Sequence, residues 1–132
     1  MAGKSGAVHS GNSLTKRVCV LAKTLGMEAK TEYKVGRRIW GAGRRIDIVL
    51  RYPQTGKTLG IECKYQDTAG TAEEKIPSTI QDIEAWPIAG IVVFDGEGFT
   101  QNMRAYLVST GKAVAFHDLE PWLRLYFGLP LE

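Results

Sequence analysis

Cysteine is scarce in this chain of 132 residues: only Cys19 and Cys63 are present, far apart and in no metal-ligand spacing. A disulfide scaffold and a zinc centre are excluded on that ground, and both residues read as small buried hydrophobes of a reduced, intracellular protein. No run of about 18 apolar residues occurs, which excludes a membrane-spanning helix. The first dozen residues are rich in Gly and Ser and lack the apolar stretch of a secretory signal, so a flexible tail over 1–12 and one domain over 13–130 are expected. Gly96-Glu97-Gly98 lacks the rest of a Walker-type phosphate loop, so ATP chemistry is not supported. His9 and His117 have no partner motif.

Charge is unevenly spread. The chain holds 17 basic and 14 acidic residues, net +3, yet ten of the basic residues precede Ile46 and only Glu28 and Glu32 oppose them there, a local +8. The remainder carries seven basic against twelve acidic residues, or −5. Such asymmetry points to an anionic partner met by the N-terminal third, and nucleic acid is the usual one. Arg37-Arg38 and Arg44-Arg45 bracket the Gly-containing segment Ile39-Trp40-Gly41-Ala42-Gly43, which reads as a turn or loop. Four guanidiniums around one loop repel each other unless phosphates lie between them. Trp40 either stacks on a base there or covers the edge of the core. Lys75 opens a helix, where the dipole disfavours a cation, and so reads as either a phosphate contact or a solvated side chain. The expected DNA contacts are therefore Arg37, Arg38, Trp40, Arg44, Arg45 and Lys75.

The periodicities give an element order. Leu14, Val18, Leu21, Ala22 and Leu25 mark a helix over Ser13–Leu25, with Asn12 or Ser13 at its start and Gly26 at its end. Glu28–Val35 reads as a polar strand. Arg44–Tyr52 and Lys57–Tyr65 form a hairpin across Pro53-Gln54-Thr55-Gly56. Thr71 and Glu74 make a capping box for a helix running to about Ala85. Ile88–Phe94 is a buried strand, Thr100–Thr110 a helix stopped by Gly111, and Ala113–Phe116 a short strand. Asp118 caps a last helix that ends at Gly128. The expected architecture is mixed α/β, in the order α-β-β-β-α-β-α-β-α.

Chemistry concentrates on the hairpin. A turn centred between Gln54 and Thr55 pairs residues whose numbers sum to 109, which sets Asp47 opposite Glu62 with Cβ atoms about 5 Å apart. Alternation places Lys64 and Gln66 on the face of Glu62, and Ile46, Ile48, Leu50, Leu59, Ile61 and Cys63 on the other. Adjacent carboxylates repel unless a cation separates them. Oxygen donors from Asp47 and Glu62, with the main-chain carbonyl of Cys63, suit Mg²⁺, with Lys64 orienting water or stabilising transition-state charge.

Asp47 followed by Glu62-Cys63-Lys64, on a chain order that runs α-β-β-β-α-β from Asn12 to Phe94, resembles the PD-(D/E)xK nuclease superfamily. The resemblance implies a restriction-endonuclease-like fold with extra C-terminal α-β-α elements. It also implies a Mg²⁺-dependent endodeoxyribonuclease, with Mn²⁺ able to substitute, that leaves 5′-phosphate and 3′-hydroxyl ends. By that likeness Asp47 and Glu62 are metal ligands, with the Cys63 carbonyl beside them, Lys64 is the catalytic lysine and Gln66 helps place the scissile phosphate. Many members carry a Glu on the first helix, whereas this helix has no acid, which favours one metal; Glu28 and Glu32 lie beyond it. Ile46 stands where the family name has Pro. A sequence-directed enzyme of restriction or homing type is expected, with a junction resolvase or a non-catalytic DNA-binding module as alternatives. A homodimer or tetramer acting on DNA, without membrane association, in a cytoplasmic, nucleoid-associated setting completes the expectation. Tyr106, Leu107, Trp122, Leu123, Tyr126 and Phe127 are available for the interface, unless they simply cover the sheet.

Overall fold

The computed structural model describes the backbone of residues 11–37, 43–66 and 72–131, and the side chains of residues 12–35, 45–66 and 76–131. Its elements are α1 (Gly11–Thr24), β1 (Glu28–Arg37), β2 (Gly43–Arg51), β3 (Thr58–Tyr65), α2 (Ala72–Glu84), β4 (Gly90–Asp95), α3 (Gln101–Ser109), β5 (Ala113–Ala115), a single 3₁₀ turn (Phe116–Asp118) and α4 (Leu119–Phe127). The five strands form one sheet in the order β1-β2-β3-β4-β5. The first three are antiparallel, and β4 and β5 join in parallel, each after a helical crossover. This is the mixed α/β architecture that the periodicities predict, and its first six elements run in the α-β-β-β-α-β order on which the resemblance rests.

Helices cover both faces. On one, Leu14, Val18 and Ala22 of α1 and Leu119, Leu123 and Phe127 of α4 pack on Ile48, Leu50, Leu59, Ile61, Cys63, Ile91 and Val93. On the other, Ile76, Ile80 and Ile83 of α2 and Leu107 of α3 pack on Ile46, Val92 and Phe94. The strict alternation of β4, whose five residues Gly90–Phe94 are all buried, explains its continuous apolar run. A helix of 14 residues is marginal alone in water. Burial of Leu14 and Val18 contributes about 1.5–3 kcal/mol each, which is what holds α1 in place.

Most boundaries agree with the sequence patterns to within two residues. The fourth strand starts at Gly90 rather than Ile88 because the chain turns after Trp86 to lay the indole across two neighbouring glycines. A Cβ on Gly60 would stand 2.8 Å from the Trp86 ring, and one on Gly90 2.5 Å from it. Gly60 and Gly90 are direct partners across β3 and β4, so together they form the slot that Trp86 fills. Asp118 does precede the last helix, but it makes no side-chain cap bond. The 3₁₀ turn leaves its carboxylate 3.5 Å from His117 Nε2 instead. Trp122, Leu123, Tyr126 and Phe127 all lie against the sheet and Leu107 is buried, so of the residues available for an interface only Tyr106 is exposed. The capping-box residues Thr71 and Glu74 lie outside the described side chains.

Gly90→Ala should destabilise the protein by about 2 kcal/mol, because a methyl group must displace an indole from a closed slot. Thermal unfolding followed by tryptophan fluorescence measures the shift; an unchanged midpoint would mean that the slot relaxes freely.

Candidate active site

The hairpin has the predicted register. Ile48 pairs with Ile61, Val49 with Gly60, Leu50 with Leu59 and Arg51 with Thr58. There the β2–β3 ladder ends, while β3 goes on pairing with β4 as far as Tyr65 and β2 goes on pairing with β1 as far as Gly43. The two strands part at Asp47 and Glu62, and the backbone groups at the fork need other partners. Side chains supply them. The Cys63 N–H donates to Asp47 Oδ2 at 3.0 Å, and the Asp47 N–H donates to Glu62 Oε1 over a longer 3.4 Å. Each carboxylate thus spends one oxygen on the opposite strand and keeps the other.

The expected flat pairing of carboxylates on a single face is corrected by this arrangement. Ile46 packs in the α2–α3 layer, whereas Ile48 and Leu50 pack in the α1–α4 layer, so alternation slips by one residue at Asp47. Directly across on β1 the ladder also skips a pair: Thr31 faces Ile48 and Tyr33 faces Ile46, with nothing paired between them. The skipped residue is Glu32, the one non-glycine residue with positive φ (+52°) among the described residues. Both strands deform at the same level, and Asp47 is turned into the fork.

Glu62 has its pKa pushed up to about 7, first by burial and then by the neighbouring Asp47 charge; Lys64 and the Asp47 N–H partly oppose this, and Asp82 of α2 adds to it. The Cys63 thiol is pushed up to about 12 by burial, against a hydrogen bond from the Thr15 side chain, so it stays a protonated core group. Asp82 is a residue that sequence reasoning missed. It is half-buried on the flank of the Ile76, Ile80 and Ile83 stripe of α2, where helical spacing gives no signal.

Comparison with known proteins matches residues 6–121 to a family model described as a PD-(D/E)XK nuclease superfamily domain. The chain belongs to the PD-(D/E)XK nuclease superfamily. A crystal structure described as that of a protein of unknown function, AF1548, aligns with a TM-score of 0.54 at 20% identity, which shows the shared fold. The alignment covers 78% of this chain and 56% of that one, so this chain spans little more than half of the other protein's length. No curated protein matches.

The residues that the sequence reading assigned to the motif meet at the fork. Asp47 stands where β2 leaves the ladder, and Glu62, Cys63 and Lys64 stand on β3 alongside it. Lys64 shares the alternation of Glu62 and is half-buried. Gln66, just beyond β3, is buried; its amide Nε2 donates to the Gly98 carbonyl at 2.9 Å, and its Oε1 has no partner among the described residues. The Gly98 N–H donates back to the Gln66 carbonyl, and Gly96 lies so close that a Cβ there would stand 2.2 Å from the Gln66 oxygen. Gln66 therefore anchors the turn after β4. Arg45 is exposed and 3.7 Å from Glu32. The side chains of Arg37, Arg38, Trp40, Arg44 and Lys75 lie outside the described residues.

The donor set fits a hard divalent cation. The fork offers two carboxylates, each with an oxygen to spare, and a hard cation prefers such oxygen donors. The Cys63 carbonyl points to the same edge of β3 as its N–H. No group of three or more His, Cys, Asp or Glu suited to a metal occurs among the described residues.

Without metal, Glu62 holds its proton more tightly in the folded chain than in the unfolded one, so stability falls as pH rises from near 4.5 to about 7. The loss should be on the order of 2 kcal/mol between pH 5 and pH 8, and Glu62→Gln should abolish it. Urea denaturation in EDTA at the two pH values measures both; parallel profiles for wild type and variant would contradict the assignment.

Proposed function

We propose that the protein is a Mg²⁺-dependent endodeoxyribonuclease that hydrolyses phosphodiester bonds to 5′-phosphate and 3′-hydroxyl ends. The observation that carries this reading is the convergence of the Asp47 and Glu62 carboxylates in the fork between β2 and β3, with Lys64 two residues beyond Glu62 on the same strand. Asp47, Glu62 and the Cys63 carbonyl would hold the ion, which when bound polarises the phosphate and lowers the pKa of coordinated water.

The remaining work falls to the chain. The Cys63 N–H fixes the Asp47 carboxylate, so its free oxygen needs no reorganisation when substrate arrives. Glu62 is set against Asp47 by the same reciprocal contact. The Lys64 ammonium stabilises the charge that builds on the phosphate oxygens as the bond to the leaving group lengthens, or orients the attacking water. Gln66 anchors the turn after β4, with an unengaged amide oxygen at the end of the same strand.

Arg37, Arg38, Trp40, Arg44, Arg45 and Lys75 form the DNA-contacting set in this reading, and sequence-directed cutting of restriction or homing type is its finer form. Cutting both strands of a duplex calls for two centres, and so for a homodimer or tetramer. In this reading the protein works in the cytoplasm, at the nucleoid.

A panel of supercoiled plasmid, genomic DNA, a four-way junction and single strands tests the reading. Cleavage should require Mg²⁺ or Mn²⁺, stop in EDTA, and fall at least about 100-fold in Lys64→Ala and in Asp47→Asn. Fragments of discrete size from genomic DNA would support site-directed cutting, whereas preference for the junction would replace it with resolution. Binding of DNA without cleavage of any substrate would reduce the protein to a binding module.

A further inference from the structure

We infer that Lys16 binds a substrate phosphate flanking the one that is cut, in an open cavity on the α1 side of the fork. The inference rests on the nuclease reading and names a contact within it that the motif does not contain. Asn12, Thr15 and Lys16, spaced i, i+3 and i+4 on α1, line this cavity together with Thr31 and Glu32 of β1, Asp47 of β2 and Cys63 of β3. Its volume of about 650 Å³ is within the range of ligand-binding clefts, and Asp47 is part of its wall.

The charges lining the cavity sort themselves. Asp47 is held by the Cys63 N–H, and Glu32 has Arg45 3.7 Å away. Thr15 is engaged with the Cys63 thiol. Lys16 is exposed and forms neither an ion pair nor a hydrogen bond among the described residues, so it is the cation left for an incoming anion. Its direction is fixed, because Leu14 and Val18 are fully buried on the inner face of the same helix. The stretch Gly11–Thr24 contains no acid, so the helix wall beside the catalytic carboxylates offers a cation where a carboxylate would attract a second metal ion. Lys64 follows the alternation of Glu62 toward the α2 side. The two lysines therefore stand on different sides of the sheet at the fork, and a backbone strand lying across the carboxylates meets one before and one after the bond that breaks.

The test is equilibrium binding of a short fluorescent DNA duplex in EDTA across a salt series, with no cleavage needed. Lys16→Ala should weaken binding several-fold at 50 mM salt and reduce the slope of log K against log salt by about 0.9, the value for one phosphate contact. Lys16→Arg should restore both, and Lys23→Ala, two turns further along α1 and off the cavity wall, should leave the slope unchanged. A wild-type slope in Lys16→Ala would overturn the inference, as would a Lys16→Ala protein that instead binds divalent ions more tightly. A wild-type protein that neither binds the duplex nor cuts DNA would refute the nuclease reading itself. Wild-type cutting with an unchanged Lys16→Ala slope would refute this contact alone.

Discussion

The site is organised by one geometric constraint: β2 cannot follow β3 beyond Ile48 and Ile61, and the backbone donors exposed by that parting are capped by the two carboxylates that the proposed chemistry uses. The Cys63 N–H would face a main-chain carbonyl if the ladder continued. Here it faces Asp47 Oδ2, which fixes a charged side chain with a bond that folding must make in any case. The fold and the proposed chemistry share the same hydrogen bonds, so the fork cannot be relaxed without disorganising the candidate site.

Around this fork the rest of the fold acts as a clamp. Arg17 of α1 donates to Asp95 at the end of β4 over 2.9 Å and lies over the Phe116 ring, tying the first helix to the far strands. Arg104 of α3 donates to the carbonyls of Gly96 and Phe99, and Gln66 holds the same turn from β3. The two helical layers thus meet the sheet on both sides of a site that is itself electrostatically unfavourable. A half-buried Glu62 beside Asp47 is tolerated because Trp86, Ile80 and Ile83 pack the nearby α2 layer tightly, leaving burial elsewhere to offset the cost.

The hairpin was the most legible part of the sequence. Its turn residues fixed the pairing sum at 109, and that sum holds at Ile48 and Ile61. The order of helices and strands was legible for the same reason, since each has a clear apolar period. What the pattern could not carry was departure from its own period. The two-residue repeat places Ile46 with Ile48, and only the slip at Asp47, matched by the positive φ of Glu32, moves Ile46 to the other layer. Trp86 gave no sign of its slot, because Gly60 and Gly90 are 30 residues apart and meet only through the parallel pairing of β3 and β4. The cavity wall of Asn12, Thr15 and Lys16 was likewise invisible, being polar residues off the apolar stripe by which the helix is recognised.

The most direct measurement of the central proposal, that a divalent ion is held between Asp47 and a Glu62 whose carboxyl is kept partly protonated by burial and by the Asp47 charge, is calorimetric titration of the metal-free protein with Mg²⁺ at pH 7 in buffers of different ionisation enthalpy. A carboxyl with a pKa near 7 must release a fraction of a proton as the ion binds, so the observed enthalpy should change with the buffer, and the effect should vanish in Glu62→Gln. Mg²⁺ binding with no proton release, or no binding in a protein that still cuts DNA, would contradict it.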